Sequence, residues 1–176
     1  NTVIVFTTDH GHFLGKHGLG TKGAFHYEDV LKIPFIVKHP QHANPGTRTD
    51  SLISLVDLPK TFLSMAGQSI PGTMAGVDFS SVWKGETSAL RDHVLVENRH
   101  EADTIHLNTY INERYKLTVY ANTTEGELRD LREDPDELVN LWDDPDHATL
   151  KSDLLLKLTQ AQMLKAPCPM PRVSGA

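Results

Sequence analysis

Short apolar runs, broken by glycine, proline and acidic stretches, set the pattern of this chain. Val3-Ile4-Val5-Phe6 is continuously apolar and stops at Thr7-Thr8-Asp9-His10-Gly11. Such a run predicts a strand covered on both faces, as in a parallel α/β sheet, with polar groups at the carboxyl end where open α/β sheets place ligands. The stretch from Gly11 to Gly23, with glycines also at 15, 18 and 20, is long for a connection and predicts a loop that is either functional or disordered. Residues 27–31 predict a helical turn and residues 33–38 a second buried strand, with Pro34 tolerable near its start. Residues 41–47, around Pro45-Gly46, predict a turn, and residues 51–56 a short strand. Residues 57–67 carry helix signals at both ends: Asp57 to cap, Pro59 in the first turn and Gly67 to close. Residues 78–83 predict a short helix ended near Gly85.

From about Arg91 the pattern changes. Residues 93–97, 109–112, 115–120 and 126–131 predict strands, with Asn112-Glu113-Arg114 as a hairpin turn. The alternation of Tyr115, Leu117 and Val119 predicts a half-solvated antiparallel sheet. Asp-Pro-Asp turns at 134–136 and 144–146 follow. Leu150, Leu154, Leu155 and Leu158 at helical spacing predict a helix over 149–165, and Ala166-Pro167-Cys168-Pro169-Met170-Pro171 an extended tail. The pattern as a whole predicts an α/β body over residues 1–90 and an α+β lobe of antiparallel strands and one helix over 91–176.

Composition narrows the function classes. A formal charge of −6 with no Lys/Arg cluster argues against nucleic acid as a partner. No apolar run approaches the ~18 residues of a membrane span. The single cysteine excludes an internal disulfide framework and any multi-cysteine metal site. A core strand that starts after only Asn1-Thr2 predicts that the chain is the tail portion of a longer protein.

Adjacent strand residues point to opposite faces, so Asp9 and His10 converge only if the strand has ended, and Gly11 permits that. A carboxylate and an imidazole suit a divalent ion, but two ligands do not make a site, and an Asp-His-Gly turn explains the residues equally well. Lys22 faces a metal-bound anion only if the loop folds back; on spacing alone it reads as a solvated lysine. His17 and His26 bracket Lys22 and are candidate pocket residues or proton shuttles. The two acidic turns lack the glycine and terminal glutamate of an EF-hand, so turns and caps explain them better than calcium. Asn122-Thr123-Thr124 fits the glycosylation sequon, a frequent match.

Thr7-Thr8-Asp9-His10-Gly11, Leu14-Gly15-Lys16-His17-Gly18-Leu19 and Thr21-Lys22-Gly23 together resemble the second metal-binding segment of type I sulfatases, in the alkaline-phosphatase-like superfamily. Tyr27-Glu28 with Lys32-Ile33-Pro34-Phe35-Ile36-Val37, then Val56-Asp57-Leu58-Pro59-Lys60-Thr61, then Gly76-Val77-Asp78-Phe79 continue the likeness in the family's order. Gly126-Glu127-Leu128-Arg129-Asp130-Leu131 and Asp134-Pro135-Asp136-Glu137 with Asn140-Leu141 resemble its C-terminal signature, with Arg129 where tyrosine is frequent.

The resemblance implies a fold: part of a mixed sheet flanked by helices, then a small α+β lobe. It implies Asp9 and His10 as metal ligands, most often of calcium, with manganese or magnesium as alternatives. Lys22 becomes the lysine on the sulfate of a small sulfate ester or sulfated sugar. In that family a formylglycine hydrate attacks sulfur, and its Cys-x-Pro-x-Arg source lies in the N-terminal half. Cys168-Pro169-Met170-Pro171-Arg172 has Met170 where proline is required and reads as a decoy. The nucleophile and the remaining ligands are therefore expected from an N-terminal half absent here, leaving this segment inactive alone. A phosphonate or phosphate monoester hydrolase of the same superfamily, and a non-catalytic module, are the alternatives.

Overall fold

The computed structural model describes residues 1–41, 45–101 and 105–165, with the side chains of His100 and Glu101 left aside. The predicted tail at 166–171, the Cys168 segment and part of the predicted 41–47 turn lie outside the described residues. Two antiparallel sheets and the helices packed on them give a mixed α/β fold. Strand β1 (Ile4–Thr7) pairs with β2 (Phe35–Lys38), Ile4 opposite Lys38 and Thr7 opposite Phe35. Strand alternation turns Val5, Phe35 and Val37 onto Phe79, Val82 and Trp83, around a short helix spanning Ser80–Trp83. Ile4, Phe6 and Ile36 face the other way and remain 53–62% exposed. The expectation of a parallel strand covered on both faces is thus corrected. Among the described residues β1 pairs antiparallel, and this chain covers one of its faces. A continuous apolar run reports a strand's capacity for burial, not the direction of its neighbour.

Helix α1 (Glu28–Leu31) precedes β2, and α2 (Leu58–Met65) follows a 3-10 turn at Leu55–Asp57. That turn replaces the strand expected at 51–56. Asp57, fully buried, accepts hydrogen bonds from the amides of Ser54 (2.7 Å) and Val77 (2.8 Å) and pairs with the guanidinium of Arg91. One carboxylate with so many donors fixes the backbone in a capped turn that no strand could share. The short Ser80–Trp83 helix is α3, and its chain turns away at Gly85 as expected.

The second sheet is a meander of β3 (His93–Glu101), β4 (Ile105–Asn112), β5 (Tyr115–Tyr120) and β6 (Gly126–Asp130). Tyr110, Leu117 and Leu128 share one face and pack on Leu154, Leu158 and Ala161 of α4 (Ala148–Leu164). The opposite face is where the half-solvated expectation fails. Thr109, Lys116, Thr118 and Arg129 lie on it and are all buried, Lys116 to 1% exposure. Residues 26–28 and Glu137 cover this face, bringing partners that neutralise the lysine. No helix among the described residues is long and apolar enough to cross a membrane.

Candidate functional site

Strand β1 ends at Thr7, and the next residues turn so that Asp9 and His10 no longer alternate across a sheet. Asp9 Oδ1 accepts from the Thr8 hydroxyl (3.1 Å) and from the His10 amide (3.0 Å). These donors, the hydroxyl first, hold the Asp9 carboxyl below the usual carboxylate range, so it is ionised at neutral pH. His10 Nδ1 lies 2.9 Å from the Gly11 carbonyl, which can only accept, so Nδ1 carries the proton and Nε2 the lone pair. Lys22 Nζ donates into that lone pair at 3.0 Å, while Asp9 Oδ2 lies 3.4 Å from the same nitrogen.

The loop folds back for local reasons. Phe13 is buried to 1% exposure as a plug, and its amide bonds to the Thr21 carbonyl (3.3 Å), placing Lys22 beside a histidine twelve residues earlier. Between them Gly15 donates to Leu19 (2.9 Å) around a 3-10 turn at Lys16–Gly18. His17 stacks on Tyr27 with ring centroids 3.8 Å apart, and Phe13 meets both rings edge-on. Gly11 donates to the Val30 carbonyl (2.8 Å), so α1 holds the segment just after His10.

Asp9, His10 and Lys22 are thus brought together. His17 and His26 are placed elsewhere. His17 Nε2 lies 3.4 Å from Asp29, within the aromatic group. His26 is 7% exposed, and its Nδ1 meets the Thr109 hydroxyl at 2.7 Å. Burial, aided by the nearby Lys116 ammonium, pushes His26 down to about 4, so it is neutral at pH 7. Sequence reasoning gave no role to Glu28 and Asp29 of α1, nor to Lys116, Asp136 and Glu137, which join them in ion pairs with one another and with Lys16. No local signal could have paired Lys116 with Glu28, 88 residues away.

Asp9 and His10 offer one oxygen and one nitrogen donor to a common point. Two ligands ~2.4 Å from a cation and at right angles to each other lie about 3.4 Å apart, so their spacing suits one shared ion. No group of three or more potential metal-binding side chains occurs among the described residues. An open cleft of about 1560 Å³ lies away from this cluster, lined by Phe35, Trp83, Arg91, Tyr110 and Arg114 among others. Chemistry rather than volume therefore marks the candidate site.

A family model described as N-sulphoglucosamine sulphohydrolase, C-terminal, matches residues 15–164. The N-acetylglucosamine-6-O-sulfatase of Bacteroides thetaiotaomicron is 27% identical over 92% of this chain and 30% of its own length. The uncharacterized sulfatase YidJ of Escherichia coli K12 is 32% identical over 88% of this chain and 31% of its own. Among solved structures, a 2-O GAG sulfatase superposes with a TM-score of 0.83 at 27% identity, over 92% of this chain and 36% of that one. The phosphonate monoester hydrolase of Agrobacterium radiobacter superposes with a TM-score of 0.78 at 27% identity, over 93% and 36%. The chain thus spans about a third of the length of the curated relatives it matches. With the family model covering most of its residues, the chain belongs to the sulfatase family and corresponds to the C-terminal portion of its members.

Proposed function

We propose that this chain furnishes one half of the centre of a sulfate-ester hydrolase, Asp9 and His10 as ligands of a divalent cation and Lys22 as the group that holds the sulfate. One observation carries this reading: the convergence of the three side chains on His10 Nε2 at the carboxyl end of β1. The donor set fits a hard divalent ion, because an ionised carboxylate and a neutral imidazole lone pair face one point. Calcium is the ion the family resemblance implies, with manganese and magnesium as alternatives. When bound, such an ion supplies Lewis-acid polarisation of the sulfate oxygens.

The chain's own residues do the rest of what this half contributes. Asp9 and His10 would hold the cation, and beside them the Lys22 ammonium would face the ester. There its compact charge offsets the negative charge that grows on oxygen as the S–O bond breaks. Phe13 and the Gly11–Val30 bond hold the loop rigid, so that orientation is set before the ester arrives. Two ligands fall short of the six to eight oxygens around calcium. On this reading the remaining ligands and the nucleophile, a formylglycine, come from an N-terminal half of the parent enzyme, and this chain alone is inactive. A sulfated sugar is the favoured substrate, supported by the N-acetylglucosamine-6-O-sulfatase among the relatives. The phosphonate monoester hydrolase likeness supports a second reading, cleavage of a phosphonate or phosphate monoester at the same site.

The test compares this 176-residue chain with its complete parent protein on an aryl sulfate, a 6-sulfated N-acetylglucosamine and an aryl phosphonate, each with calcium present. The complete protein is expected to favour the sulfates and the chain alone to turn over nothing. Turnover by the chain alone would refute the half-site. A preference for phosphonate would install the second reading, and no hydrolysis by the complete protein would leave a non-catalytic module.

A further inference from the structure

The acidic turn after β6, part of the C-terminal stretch that resembles sulfatases and with no role of its own in the sequence reading, touches the site loop by two routes. Glu137 adopts a left-handed backbone conformation (φ 54°) yet is 2% exposed. A non-glycine residue in that conformation with a buried charge is held there by its partners. Its Oε2 accepts the amide of Glu28, the first residue of α1, at 2.6 Å, and its Oε1 pairs with the ammonium of Lys116. Lys116 also reaches Glu28 Oε1 at 3.5 Å. The neighbouring Asp136 lies 3.5 Å from Lys16, which pairs with Asp29 at 3.0 Å.

From α1 the contacts run directly to the candidate site. Val30 accepts from Gly11, one residue after His10, and the Asp29 carboxylate holds Lys16 and His17 in the middle of the loop. We propose that the Asp136–Glu137 turn is a positioning element. Glu137, through Glu28 and Lys116, and Asp136, through Lys16, fix α1 and the 11–23 loop in the conformation that sets Lys22 on His10. This rests on the proposed sulfate site for its functional meaning. Its structural content stands apart from that site: removing Glu137 frees a loop whose nearest residue is more than a hundred positions away in sequence.

The test is amide hydrogen exchange on the complete parent protein, as wild type and as Glu137→Ala, Glu137→Gln and Leu158→Ala. Leu158→Ala, in the α4 core, is a purely structural control. Glu137→Ala is expected to speed exchange in residues 11–23 about tenfold or more while β4 and β5 amides change by less than about twofold. Glu137→Gln, which keeps an oxygen for the Glu28 amide, is expected to restore most of that protection. In parallel, the calcium concentration for half-maximal sulfate-ester hydrolysis rises about tenfold in Glu137→Ala and stays put in Leu158→Ala. Exchange in 11–23 that is unchanged, or that rises only in step with β4 and β5, overturns the proposal. Where Glu137→Ala does not fold, the charge-neutral pair Glu137→Gln with Lys116→Met is judged by the same criteria. Lys22→Ala separates the two readings: wild-type hydrolysis in that variant refutes the sulfate site and leaves the exchange result to decide on positioning.

Discussion

Substituting Gly11 by alanine tests how the fold holds the candidate site. A Cβ built on Gly11 falls 2.0 Å from the Asp29 carbonyl oxygen, 3.0 Å from its carbon and 3.3 Å from the Val30 Cα. All three are backbone atoms of α1, so no side chain can swing aside. Restoring ordinary contact requires a shift of about 1 Å or more between the two segments, which stretches the 2.8 Å bond from the Gly11 amide to Val30. Overpacking of this kind costs about 1–3 kcal/mol and the weakened hydrogen bond about 1 kcal/mol more. The expected loss is about 2–4 kcal/mol, a Tm lowered by about 10 °C in a chain of this size. A displacement of ~1 Å beside His10 also predicts about 10²-fold less sulfate-ester hydrolysis by the complete protein, even at temperatures where it stays folded. Gly15→Ala is the companion. Its φ of 97° carries a backbone cost of about 1–2 kcal/mol, but nothing lies within 4 Å of the added methyl. Thermal melts followed by circular dichroism, with activity at 20 °C, measure both. A Gly11→Ala protein as stable and active as wild type, or one no worse than Gly15→Ala, would refute the reasoning.

Other expectations follow from the same contacts. Arg91→Ala strips the fully buried Asp57 of its cation and leaves it two backbone amides, costing about 3 kcal/mol by urea denaturation; an unchanged midpoint would count against the pair. His26 has a folded pKa of about 4 against about 6.5 unfolded, so the unfolded state binds more protons between those values. Stability present above pH 6.5 is therefore lost as pH falls toward 4, by about 3 kcal/mol, and His26→Gln flattens that part of the urea-midpoint profile. Calcium titrated calorimetrically into the 176-residue chain alone is expected to bind no tighter than about 1 mM, since Asp9 and His10 are two ligands of a larger set. Micromolar binding would show that the chain completes a shell by itself.

Much of this was legible in the residues. The helix over 58–65 announced itself through Pro59 and Gly67, the 115–120 strand through its alternation, and α4 through its leucines. Those signals are local, and local periodicity survives in any tertiary context. Three expectations needed partners that no local pattern names. Lys116 sat at a solvent-facing position of an alternating strand, yet Glu28 and Glu137 arrive from 88 and 21 residues away to bury it. Residues 51–56 had β-branched and apolar character, but Asp57 gathered amides from both directions and turned the backbone. The apolar run at the start marked a strand correctly and misread its neighbour as parallel. At the site, composition left Asp9 and His10 evenly divided between ligand and turn, and Lys22 as a surface lysine. Their convergence depends on Phe13 closing the loop, a contact set by burial rather than by spacing.

The most direct measurement is kcat/KM of the complete parent protein, wild type against Lys22→Ala, on a 6-sulfated N-acetylglucosamine with saturating calcium. Removing a cation that stabilises developing charge predicts a fall of about 10²–10³-fold, with the melting temperature unchanged because Lys22 is exposed. A Lys22→Ala enzyme within about threefold of wild type would contradict the assignment of Asp9, His10 and Lys22 to a sulfate-ester site.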